Sequence, residues 1–178
     1  MKNVLTIAGS DSCGGAGIQA DLKTFSAHGV YGMSVITAVT AQNTQGVLAV
    51  QDISVELVGK QIEAIFEDIR VDGLKIGMVS QIDTINAIGS GLRFYNPANI
   101  VLDPVMVSKS GYNLLQPEAR EALIKNLVPL ATIVTPNIPE AEVLIGMKIS
   151  SIAEMEEAAK RIFEMGPKNV LIKGGHLD

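Results

Sequence analysis

The chain has 178 residues, 47% hydrophobic and 19% charged, with 14 Lys and Arg against 19 Asp and Glu for a net charge of −5. That apolar balance excludes a disordered chain, and the length suits one sizeable core, so a single unit over residues 1–178 is expected. The basic residues are scattered, which argues against a nucleic-acid partner, and no stretch approaches the roughly 18 apolar residues of a bilayer span.

In chain order, a β-branched run over 4–8 reads as a buried strand, and MKNVLTIAGSDS has no signal-peptide cleavage region, so a cytosolic protein is expected. Gly9-Ser10-Asp11-Ser12-Cys13-Gly14-Gly15-Ala16-Gly17 joins this strand to an amphipathic helix over 17–27. Glycines there admit a ligand close to the backbone, and a helix N-terminus favours anions. Yet the terminal Gly-Lys-Ser/Thr of a Walker A loop is missing, as is the dinucleotide-binding spacing. The loop reads either as a ligand-facing turn or as a plain tight turn. Cys13, the only cysteine, rules out an internal disulfide and a cysteine-based zinc site, and reads as a small residue in that turn. Asp21, four residues into the helix, faces either solvent or the same pocket.

Further strands are expected over 35–39, 73–76, 100–102, 132–135 and 170–172, and helices over 55–69, 82–93, 117–126, 139–144 and 152–165. This alternation predicts an α/β fold with a mainly parallel sheet covered on both faces. Right-handed crossovers align the strand C-terminal ends along one edge, where open α/β sheets bind ligands. After the strands come TAQNTQG, GMVS, DPVMVSKSG, TPNIPE and KGGH, polar clusters that would share that edge.

Gln42 offers an amide whose acceptor and donors lie side by side, matching a ring nitrogen and an exocyclic amine of an aminopyrimidine; it equally fits a loop glutamine bonded to backbone. Asp103 ends a strand before Pro104 and could hold magnesium or orient its waters. Asn137 and Glu140, three apart at a helix start, could converge on the same ion or simply cap the helix. Lys173, in Lys173-Gly174-Gly175-His176, could neutralise nucleotide phosphates or be a solvated strand end. Lys109-Ser110-Gly111 has the composition of a mobile flap or of an ordinary surface loop. His28 and His176 are too few for a histidine metal site or a triad.

Together LTIAGSDSCGGAGIQADLKTFSAHGVYG, TAVTAQNTQGV, KIGMVS, VLDPVMVSKSG, TPNIPEAEVL and VLIKGGHL resemble the hydroxymethylpyrimidine/phosphomethylpyrimidine kinases of thiamine biosynthesis, in the ribokinase-like superfamily. The resemblance implies a three-layer αβα sandwich, incomplete at its C-terminal end, and ATP- and magnesium-dependent phosphorylation of a pyrimidine alcohol and then of its monophosphate. It implies that Gly9, Ala16, Asp21, Gln42, Met78 and Val105 line the pyrimidine pocket. It also implies that Asp103, Asn137 and Glu140 organise Mg2+, and that Lys173 contacts the nucleotide. Pyridoxal kinases of this type share the glycine loop but differ at the position of Gln42, which favours pyrimidine. The resemblance further implies a homodimer for the full-length protein. The family's Gly-Thr-Gly-Cys/Asp segment, with its phosphoryl-binding N–H groups and base, has no counterpart here. The base is expected beyond Asp178, so no catalytic residue is assigned within the chain, and a catalytically silent binding protein is the competing expectation. A sheet ending at 170–172 would leave an open edge, so association or poor solubility is expected.

Overall fold

The computed structural model describes residues 1–106 and 118–174. The expected flap at Lys109-Ser110-Gly111, the helix start at Pro117, and Gly175 with His176 lie outside them. Six strands form one sheet in the order β3-β2-β1-β4-β5-β6. β1 (Asn3–Asp11) is central, and alternation gives it two buried faces: Leu5 and Ile7 on one, Thr6 and Ala8 on the other. It pairs in parallel with β2 (Tyr31–Asn43) and β4 (Gly73–Ile76). β5 (Ile100–Leu102) and β6 (Ile133–Val134) extend the parallel part.

Leu5 and Ile7 belong to the main apolar cluster with Val35, Leu74, Ile76 and Leu102. Facing them are Val58 and Ile62 of α2 (Val55–Phe66) and Ile85, Ile88 and Leu92 of α3 (Ile82–Tyr95). α4 (Ala119–Asn126), α5 (Ile138–Ile145) and α6 (Ile152–Glu164) add Leu123, Ile138, Leu144 and Ile162 to the same cluster. Thr6 turns the other way, toward α1 (Gly17–Ala27), whose Asp21 accepts its hydroxyl proton. Helices therefore cover both faces of a mostly parallel sheet. No helix among the described residues is long and apolar enough to cross a membrane.

Two expectations are corrected at the sheet edges. TAQNTQG is not merely a loop: β2 runs on to Asn43 and hairpins into β3 (Gly46–Asp52), an antiparallel edge strand. The turn is made by Asn43, whose Oδ1 accepts from the backbone N–H of Gln45 at 2.9 Å and of Gly46 at 3.1 Å. β3 was invisible to periodicity because neither of its sides is consistently buried; Leu48 is 77% exposed. At the other edge, 170–172 makes only isolated parallel bridges, Val134 with Val170 and Asn137 with Lys173. Between them stands Pro136, which accepts at its carbonyl from Lys173 N–H (2.7 Å) but has no N–H to return to the ladder.

α1 can begin where it does only because Gly17 is a glycine. Its φ is +55°, and a Cβ there would run into the carbonyl oxygen of Gly9. Gly29 also has positive φ, +67°, but open space around it. Gly17→Ala is therefore expected to cost roughly 2–4 kcal/mol, and Gly29→Ala about 1 kcal/mol, in urea unfolding. Equal costs would show that the close approach of Gly17 to β1 contributes nothing.

Candidate functional site at the C-terminal edge of the sheet

The glycine loop is organised from inside by a carboxylate. Asp11, 3% exposed at the end of β1, accepts from Cys13 N–H (2.9 Å), the Cys13 thiol (3.3 Å), Gly15 N–H (2.9 Å) and Ala16 N–H (2.8 Å). Burial works against its ionisation, but the hydrogen bonds from Cys13, Ala16 and Gly15 outweigh that and hold its carboxyl below the usual value. Gln19 of α1 clasps the loop on its other side, taking Asp11 N–H at 2.8 Å and donating to Ser10 Oγ at 2.8 Å. Lys23 adds a bond from Nζ to Gly14 O at 2.9 Å. The N–H groups of Gly15 and Ala16 are thus already taken by an internal anion, so this loop is a wall and not a phosphate cradle.

Gln42 stands beside that wall. The Ser12 hydroxyl donates to Gln42 O at 2.6 Å and accepts from Gln42 N–H at 2.8 Å, which pins the backbone of Gln42 to the loop. The pairing of β2 with β3 shifts register between Ala41 and Gln42, which oppose Ala49 and Val47, so Leu48 of β3 is the residue without a partner there. On the neighbouring strands, Gly9 is covered by Met78, whose methyl group would collide with any Cβ at Gly9. Met78 is in turn held by its carbonyl, which accepts from Thr37 Oγ1 at 2.7 Å. Val105, half-buried, follows β5, with its N–H on Asp103 O at 2.8 Å.

Asp21 is brought to the sheet in an ion pair that sequence reasoning missed. Its Oδ2 accepts from Thr6 Oγ1 at 2.6 Å and from Lys75 Nζ at 2.8 Å. The Lys75 ammonium lies over Gly77, where a Cβ would stand 2.7 Å from Nζ and 3.1 Å from the Ala8 Cβ. A lysine in a short buried strand is the only signal that pointed to it, because a strand with covered faces has no solvated place for an unpaired charge.

The charged half of the edge follows β5 and β6. Asp103 Oδ1 accepts from Lys173 Nζ at 2.7 Å, so Lys173 neutralises a carboxylate of the site in addition to any ligand. The Asn137–Lys173 bridge sets the two together. Asn137 and Glu140 form a reciprocal capping box: Asn137 Oδ1 accepts from Glu140 N–H and Glu140 Oε2 from Asn137 N–H, both at 2.8 Å. Glu140 is 7% exposed, and its carboxyl sits above the ordinary value. Burial is the main cause and Asp103 adds to it; the N–H groups of Asn137 and Met106 and the Lys173 charge act in the opposite sense. Two nearby carboxylates, one of them paired with a lysine, have the donor chemistry of a divalent-cation site that also takes phosphate oxygens and waters. No group of three or more His, Cys, Asp or Glu gathers among the described residues.

The edge therefore has two parts. Gln42, Gly9, Ala16 and Met78 lie at the ends of β2, β1 and β4, and Asp103, Asn137, Glu140 and Lys173 at the ends of β5 and β6 and beside them. Three strand spacings separate β2 from β5, about 14 Å.

Comparison with known proteins fits this edge. A family model described as phosphomethylpyrimidine kinase matches residues 11–178. A hydroxymethylpyrimidine/phosphomethylpyrimidine kinase of Rhizobium meliloti is 58% identical over 174 residues, 97% of this chain, which spans 65% of that relative's length. The crystal structure of a phosphomethylpyrimidine kinase from Clostridium difficile superposes with a TM-score of 0.94 at 62% identity, covering all of this chain and 77% of the other. A Bacillus subtilis pyridoxal kinase in complex with ADP is more distant, at 42% identity and a TM-score of 0.90 over 99% of this chain and 67% of its own. With the match running from the glycine loop to the last strand end, the chain belongs to the phosphomethylpyrimidine kinase family.

Proposed function

We propose that the protein of which these residues are part is an ATP-dependent kinase of thiamine biosynthesis, phosphorylating 4-amino-5-hydroxymethyl-2-methylpyrimidine and then its monophosphate. The observation that carries the reading is the division of one sheet edge into an uncharged end built around Gln42 and a charged end built around Asp103 and Glu140. The acceptor ring lies against Gly9, Ala16, Met78 and Val105, with Asp21 at its margin and Gln42 reading the ring edge. The nucleotide triphosphate lies toward Lys173. In the transfer, the alcohol oxygen forms a bond to the γ-phosphorus as the bond to the β-phosphate oxygen breaks and ADP leaves, while the alcohol proton passes to solvent or a base. No described residue is proposed as that base.

Asp103, Asn137 and Glu140 would hold Mg2+ or its waters, and the ion supplies charge neutralisation to the phosphates when bound. Lys173 and Asp103 fix each other in place, so the charged end is oriented before ligands arrive. The single-cysteine composition and the need for ATP fit a cytoplasmic protein, and we propose that it acts as a homodimer. Pyridoxal is the alternative acceptor, because pyridoxal kinases are among the similar structures.

ADP release by the full-length protein with saturating Mg-ATP should show kcat/KM at least about tenfold higher for the hydroxymethylpyrimidine than for pyridoxal. A preference for pyridoxal would overturn the assignment. A second expectation concerns Glu140, whose carboxyl is held above its unfolded value: the folded state binds more protons, so this group weakens the fold as pH rises through the window between the two values. Glu140→Gln keeps an oxygen for Asn137 N–H and removes that penalty. In magnesium-free buffer it should melt above the wild type at pH 7, the gap closing as pH falls, while kinase activity drops about 10–100-fold. A lower melting point at pH 7 would show that the ionised Glu140 stabilises the helix start more than its burial costs.

A further inference from the structure

Thr40 is a buried polar residue, 5% exposed, that the proposed reaction does not use. Its Oγ1 lies 2.9 Å from the carbonyl oxygen of Ser10 and 3.3 Å from Oε1 of the Gln42 side chain. A threonine hydroxyl carries one proton and two lone pairs, so it can donate to one of these oxygens and not to both. The contact to Ser10 O is the shorter of the two, and that oxygen belongs to the backbone, which cannot turn. The Gln42 amide can turn by half a rotation at no covalent cost, presenting nitrogen where oxygen stood. Every group is satisfied when Thr40 donates to Ser10 O and accepts from one N–H of Gln42.

That orientation has a consequence for the ligand. With the N–H that points away from the amide oxygen given to Thr40, the remaining edge of Gln42 presents its oxygen and its second N–H side by side. Such an edge accepts from an exocyclic amine and donates to the adjacent ring nitrogen of a 4-aminopyrimidine in one plane. An aldehyde and phenol arrangement such as that of pyridoxal does not offer the complementary pair. Ser12 holds the Gln42 backbone at 2.6 and 2.8 Å, so the amide has a fixed pivot. We infer that Thr40 is a specificity-determining positioning residue: its hydroxyl, locked on Ser10, sets which edge of the Gln42 amide faces the acceptor and so favours aminopyrimidines. The inference deepens the proposed function and rests on it.

Calorimetric titration of the protein with 4-amino-5-hydroxymethyl-2-methylpyrimidine and with pyridoxal tests it without requiring turnover. Thr40→Val, close in shape and at home in a strand, should weaken pyrimidine binding about tenfold and leave pyridoxal binding within about twofold. Thr40→Ser, which keeps the hydroxyl, should bind the pyrimidine within about twofold of the wild type. In a Gln42→Leu background the same Thr40→Val change should have no further effect on pyrimidine binding, since the amide it positions is gone. Equal weakening for both ligands, failure of Thr40→Ser to restore binding, or a full Thr40→Val effect in the Gln42→Leu background would each overturn the inference. A wild type that prefers pyridoxal would instead overturn the proposed function, and these outcomes are told apart by the wild-type titration alone. Thermal melting of each variant identifies a loss of folded protein, and the pyridoxal titration then measures the pocket in what remains folded.

Discussion

The buried carboxylate of Asp11 is the interaction on which the ligand edge depends. By collecting the N–H groups of Cys13, Gly15 and Ala16 it closes the glycine loop on itself. A loop closed this way starts α1 at one place, beside the carbonyl of Gly9, and presents Ser12 to the backbone of Gln42. The same carboxylate occupies the positive end of the following helix, so that end repels a second anion. In the proposed reaction the phosphates accordingly lie further along the edge, toward Lys173.

The opposite end shows a different kind of preparation. Asp103 and Glu140 stand close enough for one to raise the cost of ionising the other, and Lys173 offsets this only in part. Glu140 is also half of the capping box that starts α5, so its backbone role and its charge pull on stability in opposite directions. The proposed Mg2+ would relieve that conflict, an exchange of stability for function of the kind found at ligand edges.

Much of the architecture was legible from residues alone. Strands buried on both faces read as continuous β-branched runs, and 4–8, 73–76 and 100–102 fall within or on β1, β4 and β5. The polar clusters after those strands marked the ligand edge, because strand polarity in a parallel sheet leaves them no other place. β3 was not legible: an edge strand with no consistently buried side carries no period, and only the Asn43 turn and its pairing to β2 create it. Nor was the isolated bridging at 170–172, whose interruption comes from Pro136 on a different segment.

Within the site, residue types announced the chemistry and left its arrangement open. Gln42, Asp103 and Glu140 were singled out as polar groups at strand or helix ends, each with a structural reading beside the functional one, and Glu140 does take up the structural one as half of a capping box. What the linear chain could not contain was partnership across it: Asp21 with Lys75, 54 residues apart, and Lys173 with Asp103, 70 apart. The surroundings of Gln42 are likewise assembled across the chain, by Ser12 on its backbone and by the Thr40 hydroxyl, which also contacts Ser10 O. Composition and periodicity by themselves determined a parallel α/β sheet with a polar C-terminal edge, since burial and backbone pairing act on each segment locally. Only the tertiary structure decided which charges meet and which edge of an amide is free, because hydrogen bonds and ion pairs are set by distances of a few ångströms between segments that sequence order does not relate.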